Sequence, residues 1–177
     1  LFAGLNISDN FTMQSDGAML QVGSSTGDED AVLTVGGLAT LIVEGESQQI
    51  LFDGLSNSFG SLDLTSENIT INLADSTVIS NLVADNVVLN APVGIISVVN
   101  SGNFVVDRSA DLRARRIIFN EDSNIEVGSL ALSTRSGGAV EIKSDINPRL
   151  ILGNPSNAAG TISITSPEGF LRVDGGA

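Results

Sequence analysis

Two apolar residues flanking one small or polar residue recur along this chain. The triplets are "LQV" (20–22), "LTV" (33–35), "LIV" (41–43), "LDL" (62–64), "ITI" (69–71), "VVL" (87–89) and "FVV" (104–106). "IEV" (125–127), "LAL" (130–132), "VEI" (140–142), "LIL" (150–152), "ISI" (162–164) and "LRV" (171–173) continue the series. Alternation with period two predicts a short strand with one buried face at each of them. Between them lie "SSTGDED" (24–30), "EGES" (44–47), "NAPVG" (90–94), "NSG" (100–102), "RSGG" (135–138), "GNPSNAAG" (153–160) and "SPEG" (166–169). These are turn compositions, in which Gly supplies positive φ, Pro presets φ and Asn tolerates the left-handed region. A 3.6-residue period is weak everywhere; Ser109–Ile118 is the best helical candidate, with Leu112 and Arg116 on one face.

Strands recur mostly every 8–13 residues, and a coarser repeat lies over them. Segments 95–116, 117–138 and 139–160 are each 22 residues long and share the order aliphatic strand, polar step, second strand. Segments 31–49 and 50–68 read as 19-residue versions, and 69–94 is less regular. One such unit cannot bury its own apolar face, but stacked units can. The pattern therefore predicts an all-β chain, a parallel β-helix (β-solenoid) of about seven to eight coils, with each strand pairing roughly 4.8 Å from its equivalent. An antiparallel β-sandwich of pilin type is the alternative, since its strands share that spacing. The domain reading is one repetitive unit over 1–177, with 1–10 as an N-terminal extension or cap and 11–177 as coils. Asn90, Asn100 and Asn120 each follow a strand and suit its corners. A narrow aliphatic tube also accounts for the shortage of aromatics: seven Phe, no Trp and no Tyr.

Composition changes the picture mainly through charge. The net charge is −13, and no Lys, Arg or His occurs before Arg108. Residues 1–107 hold 13 acidic residues; residues 108–177 hold eight of each sign. Nucleic-acid binding needs a basic face and is not expected. Anionic membrane surfaces are disfavoured, and no run approaches the roughly 18 apolar residues of a membrane helix, so membrane insertion is not expected. The absence of cysteine removes disulfides and thiol chemistry.

The stretches "LVADNVVLNAPVGIISVVNSGNFVVD" (82–107), "SLALSTRSGGAVEI" (129–142) and "TISITSPEGFLRV" (161–173) resemble passenger repeats of filamentous-haemagglutinin-type proteins and autotransporters. That resemblance implies a right-handed parallel β-helix on a bacterial surface. "SDGAMLQV" (15–22) and "SPEGFLRV" (166–173) carry a weaker likeness to sarcoglycan-type ectodomains and phage spikes, which implies a trimeric β-helix. Both likenesses are of composition, run over roughly 11–177, and bring no functional residue with them.

Candidate chemistry is sparse. Without His or Cys no Ser-His-Asp or Cys-His arrangement exists. Sugar clefts favour stacking aromatics, so no catalytic residue is assigned and an enzyme is not expected; a polysaccharide-active β-helix is the least favoured reading. No cofactor is expected, and calcium is the one candidate ion, at Asp28, Glu29 and Asp30 in a Gly-flanked loop without EF-hand spacing. Asn6, Asn10 and Asn68 open sequons, but 15 Asn and 32 Ser plus Thr would give about three by chance. The remaining feature is the cluster Arg108, Arg113, Arg115 and Arg116. It reads either as locally paired with Asp107, Asp111, Glu121 and Asp122, or as a self-association surface facing the acidic region of another copy. The resulting expectation is an extracellular or cell-surface filament subunit or adhesin stalk segment whose partners are other copies of itself. The alternative is a surface module recognising a glycan or a cell-surface protein.

Overall fold

The fold is seen in a computed structural model, which describes residues 4–21, 32–120, 123–143, 149–152, 161–165 and 170–174. All the described secondary structure is strand: β1 (Leu5–Ile7), β2 (Phe11–Ser15), β3 (Met19–Leu20), β4 (Leu33–Val43), β5 (Gln49–Thr65), β6 (Asn68–Leu73), β7 (Thr77–Phe119), β8 (Asn124–Lys143), β9 (Arg149–Leu152), β10 (Thr161–Thr165) and β11 (Phe170–Asp174). Every strand pairing is parallel. The chain is an all-β parallel solenoid, and the antiparallel sandwich is excluded.

Three ladders of apolar residues in register run up each half. In the first half they are Ile7–Val35–Phe59, Phe11–Ala39–Leu62–Ile79 and Met19–Ile50–Ile69–Val87. In the second they are Phe104–Ile125–Leu150, Leu112–Leu132–Ile164 and Ile117–Val140–Leu171. Three strands therefore make one turn. The long β7 winds through the middle and joins the halves: Ser109 Oγ donates to Asn86 Oδ1 (3.0 Å), and Asn120 N donates to the Val98 carbonyl (3.2 Å). Its length follows from the corners, which bend while staying extended, so "NAPVG", "NSG" and "RSGG" continue the strands instead of interrupting them.

Alternation fills the core. In β6, Ile69, Ile71 and Leu73 are buried while Asn68, Thr70 and Asn72 are half-buried outside. The same pattern makes Ser109–Ile118 strand and not helix: Ala110, Leu112, Ala114 and Ile117 face the core. Period two fits these positions better than the helical pairing of Leu112 with Arg116 does. At the first triplet the phase is reversed, with Met19 buried and Leu20 exposed. Aromatics fit the tube after all: Phe52 stacks on Phe59 (6.4 Å between centroids), and Phe104 meets Phe119 edge to face (5.9 Å), all four buried.

About five turns are closed by described residues, against the seven to eight expected. The expectation assumed coils of 19–22 residues, whereas the real coils differ in length. Asn10 Oδ1 meets Leu38 N 28 residues on, and Ala139 lies in register with Phe170, 31 residues on. In the middle the step is 18, from Asn68 to Asn86. Segment 69–94, irregular by sequence, thus takes part in an unbroken 18-residue register, 68–72 on 86–90.

Corners depart from the expected chemistry too. Among the described residues positive φ falls on Ser47, Ser101, Gly4 and Gly45, and not on Asn90, Asn100 or Asn120. Asn120 serves its corner through the side chain, Nδ2 donating to the Val98 carbonyl (2.7 Å) and Ser97 Oγ (2.8 Å). Gly36 and Gly60 are needed for close approach: a Cβ on Gly36 would lie 2.6 Å from the Ser8 carbonyl oxygen, and one on Gly60 would strike the Gly36 carbonyl.

Candidate functional site

The corner after β4's final strand residue, Val43, repeats on successive coils as Glu44, Glu67, Asp85 and Asp107. Short strands bring the chain to this edge once per turn, so one carboxylate stands on each rung. They line a groove of about 340 Å³, with Val43, Thr65, Ser66, Val83 and Ala84 between them. Val83 is partly exposed, at 42%. The Gln14 side-chain amide donates to Glu44 Oε1 (3.3 Å), and the Ser47 amide donates to Glu67 Oε2. Arg108 reaches down one coil to Asp85 (3.4 Å) and closes the column. The groove offers carboxylates, hydroxyls and a little apolar wall, which suits attraction of cationic groups.

The arginine cluster is divided up by the fold. Arg108 pairs with Asp85. Arg113 grips Asp111 two residues back, Nε to Oδ1 at 3.2 Å and Nη2 to Oδ2 at 2.5 Å. That bond, then the carboxylate charge, raises the Arg113 guanidinium above its ordinary pKa, with burial opposing. Arg116 donates from Nε (2.8 Å) and Nη2 to Glu141 Oε1 on the next coil, and Glu141 is buried. Arg115 is exposed and has no ion pair among the described residues. Of the four local partners expected, only Asp111 takes an arginine in the described structure; Asp107 lines the groove, and Glu121 and Asp122 lie outside the described residues.

Asp28, Glu29 and Asp30 also lie outside the described residues. Among the described residues no three His, Cys, Asp or Glu side chains gather closely enough to hold a metal. No helix there is long and apolar enough to cross a membrane. Asn6 is exposed on β1; Asn10 is exposed, but its Oδ1 accepts from Leu38 N (2.8 Å). Asn68 is built into the wall, accepting from Asn86 Nδ2 (3.0 Å) and donating to the Gln48 carbonyl (3.5 Å).

The carboxylate column escaped the reading of the sequence because its members are 18 to 23 residues apart, and only the coil lengths align them. The same is true of Asn57, a buried amide that ties four segments together. Its Nδ2 donates to the Gln21 side chain (2.8 Å) and to the Gly54 (2.8 Å) and Asn72 (3.3 Å) carbonyls, while Oδ1 accepts from Leu33 N (3.0 Å) and Gln21 Nε2 (2.7 Å). Scans against protein-family models, curated proteins and solved structures return no match.

Proposed function

We propose that the chain is a structural subunit or segment of an extracellular or cell-surface filament or adhesin stalk, of the filamentous-haemagglutinin or autotransporter-passenger kind. One observation carries this reading: apolar residues stand in parallel register coil over coil through the described residues, from Ile7 to Leu171. Parallel hydrogen-bonded rungs resist bending and shear together, so such a column suits holding length and transmitting force. The carboxylate-lined corner and the acidic first half support a well-solvated surface. Immunogold electron microscopy of cells of the source organism, with antibody raised to the chain, tests the reading. Label on extended surface structures is expected; label confined to the cell interior overturns it.

A second reading, a surface module that binds a glycan or protein partner, is favoured by the groove over Glu44, Glu67, Asp85 and Asp107. A single saturable hit on a glycan or surface-protein array, lost on Glu67→Gln, would support it over the stalk.

A further inference from the structure

The three sequons are unlike once the chain is folded. Each opens on an asparagine with a hydroxyl residue two positions on: Asn6 with Ser8, Asn10 with Thr12, Asn68 with Thr70. Their number is what chance gives, so geometry has to tell them apart. Asn68 is spent inside the wall. Its Oδ1 accepts from Asn86 Nδ2 (3.0 Å), its Nδ2 donates to the Gln48 carbonyl (3.5 Å), and it is only half-exposed. Asn10 holds a corner. Its Oδ1 accepts from Leu38 N (2.8 Å), and a Cβ on Gly37 would come within 2.4 Å of that oxygen. Turning either carboxamide outward breaks a bond between coils.

Asn6 has no such duty. Leu5 and Ile7 on either side of it are half-buried, with Ile7 packed on the core, so alternation along β1 turns Asn6 to the outer wall. Its side chain is exposed and makes no hydrogen bond among the described residues. Ser8 is exposed as well, its Oγ donating to neighbouring Asp9 (3.4 Å). Asn6 stands in register beneath Thr34 and looks sideways from the column, not along its axis. Its exposure therefore belongs to the face, and a further coil beneath β1 would leave it outward.

We propose that Asn6 is the N-glycosylation site of this chain and that Asn10 and Asn68 stay bare. The inference goes beyond the stalk reading and does not depend on it. The donor is a sugar activated at C1 as a pyrophosphate ester, of a nucleotide or of a lipid. Asn6 Nδ2 attacks C1. The N–C1 bond forms, the C1–O bond breaks, the pyrophosphate leaves with its carrier, and the amide proton passes to a base of the transferase. A bulky hydrated group on this face displaces no core residue, whereas one on Asn68 would break the Asn86 rung.

Cleavage on the N-terminal side of Asp separates the three sequons. Asn6 falls in the peptide ending at Ser8, Asn10 in 9–15 and Asn68 in 63–74. Mass spectrometry of the chain recovered from its source organism should find sugar on the first peptide and none on the other two. A single sugar supports the proposal with a nucleotide-linked donor, and a preassembled block supports it with a lipid-linked one. A bare first peptide overturns it, as does sugar on either of the others. Expressed in the same organism, Asn6→Gln and Ser8→Ala should each abolish the sugar and leave the urea midpoint unchanged, while Ser8→Thr should keep it. Sugar that survives Asn6→Gln or Ser8→Ala overturns the assignment. A bare Asn6 on surface-labelled cells removes this inference alone; interior label with sugar on Asn6 removes the stalk alone.

Discussion

The two halves of the molecule hold their coils together by different means. Below Arg108 the side-chain to side-chain contacts between coils, among the described residues, are amide to amide or amide to acid: Asn86 on Asn68, Asn90 on Asn72, Asn81 on Asp63. Above it they include Arg116 on Glu141, and Arg108 itself bridges the boundary to Asp85. A wall without cations would suffer if carboxylates stacked on its strands, since like charges one rung apart repel by roughly 1 kcal/mol even in water. The acidic half places neutral Asn on those rungs and sets Glu44, Glu67, Asp85 and Asp107 on a corner open to solvent. Cations begin at residue 108 because there a side chain first closes the carboxylate column and then, at Arg116, a buried acid needs a partner.

The largest expected effect breaks the amide half. Asn57→Leu leaves the Leu33 amide and the Gln21 side chain without the partner they share, and should cost about 2–4 kcal/mol in urea denaturation. Next, Glu141→Ala strips the partner from half-exposed Arg116 and should cost about 1–3 kcal/mol, less than a fully buried pair would. Hydrogen exchange should place the first loss around β4–β6 and the second around β7–β8. Asn86→Ala removes one rung of the amide ladder and should cost about 0.5–1.5 kcal/mol, unchanged by salt. Arg113→Ala should cost no more than about 0.5 kcal/mol, falling towards zero in 1 M salt, because that pair is largely exposed. Its raised pKa contributes stability that is fully present below the ordinary guanidinium value and is lost only as pH rises through the higher folded one, so no pH dependence should appear near neutrality. A salt-sensitive Asn86 effect, or a salt-insensitive Arg113 effect, would dissolve the distinction between the halves.

Much of the fold was legible because the strand signal is local. "ITI", "VVL" and "LAL" each declare an inward and an outward face within three residues, and the structure keeps those faces. Parallel stacking followed because no such unit can bury its face alone. What stayed hidden depends on coil length. The partners of Arg108 and Arg116 lie a coil away, 25 residues in the second case, and no local pattern marks that distance. Glycine was legible where it supplies positive φ, as Gly45 does in "EGES", but not where it allows close approach: Gly60 is pressed against Gly36, and its φ is ordinary. Leu20 was misread in phase because a two-residue strand is too short to show its alternation.

The 18-residue step between Asn68 and Asn86 makes the molecule editable by the storey. Excising 69–86 would join Asn68 to Val87, with the same residue type standing where Asn86 had stood and the Met19–Ile50–Ile69–Val87 ladder shortened by one member. A wall with such a joint can lose a storey along this face and keep an asparagine at the seam.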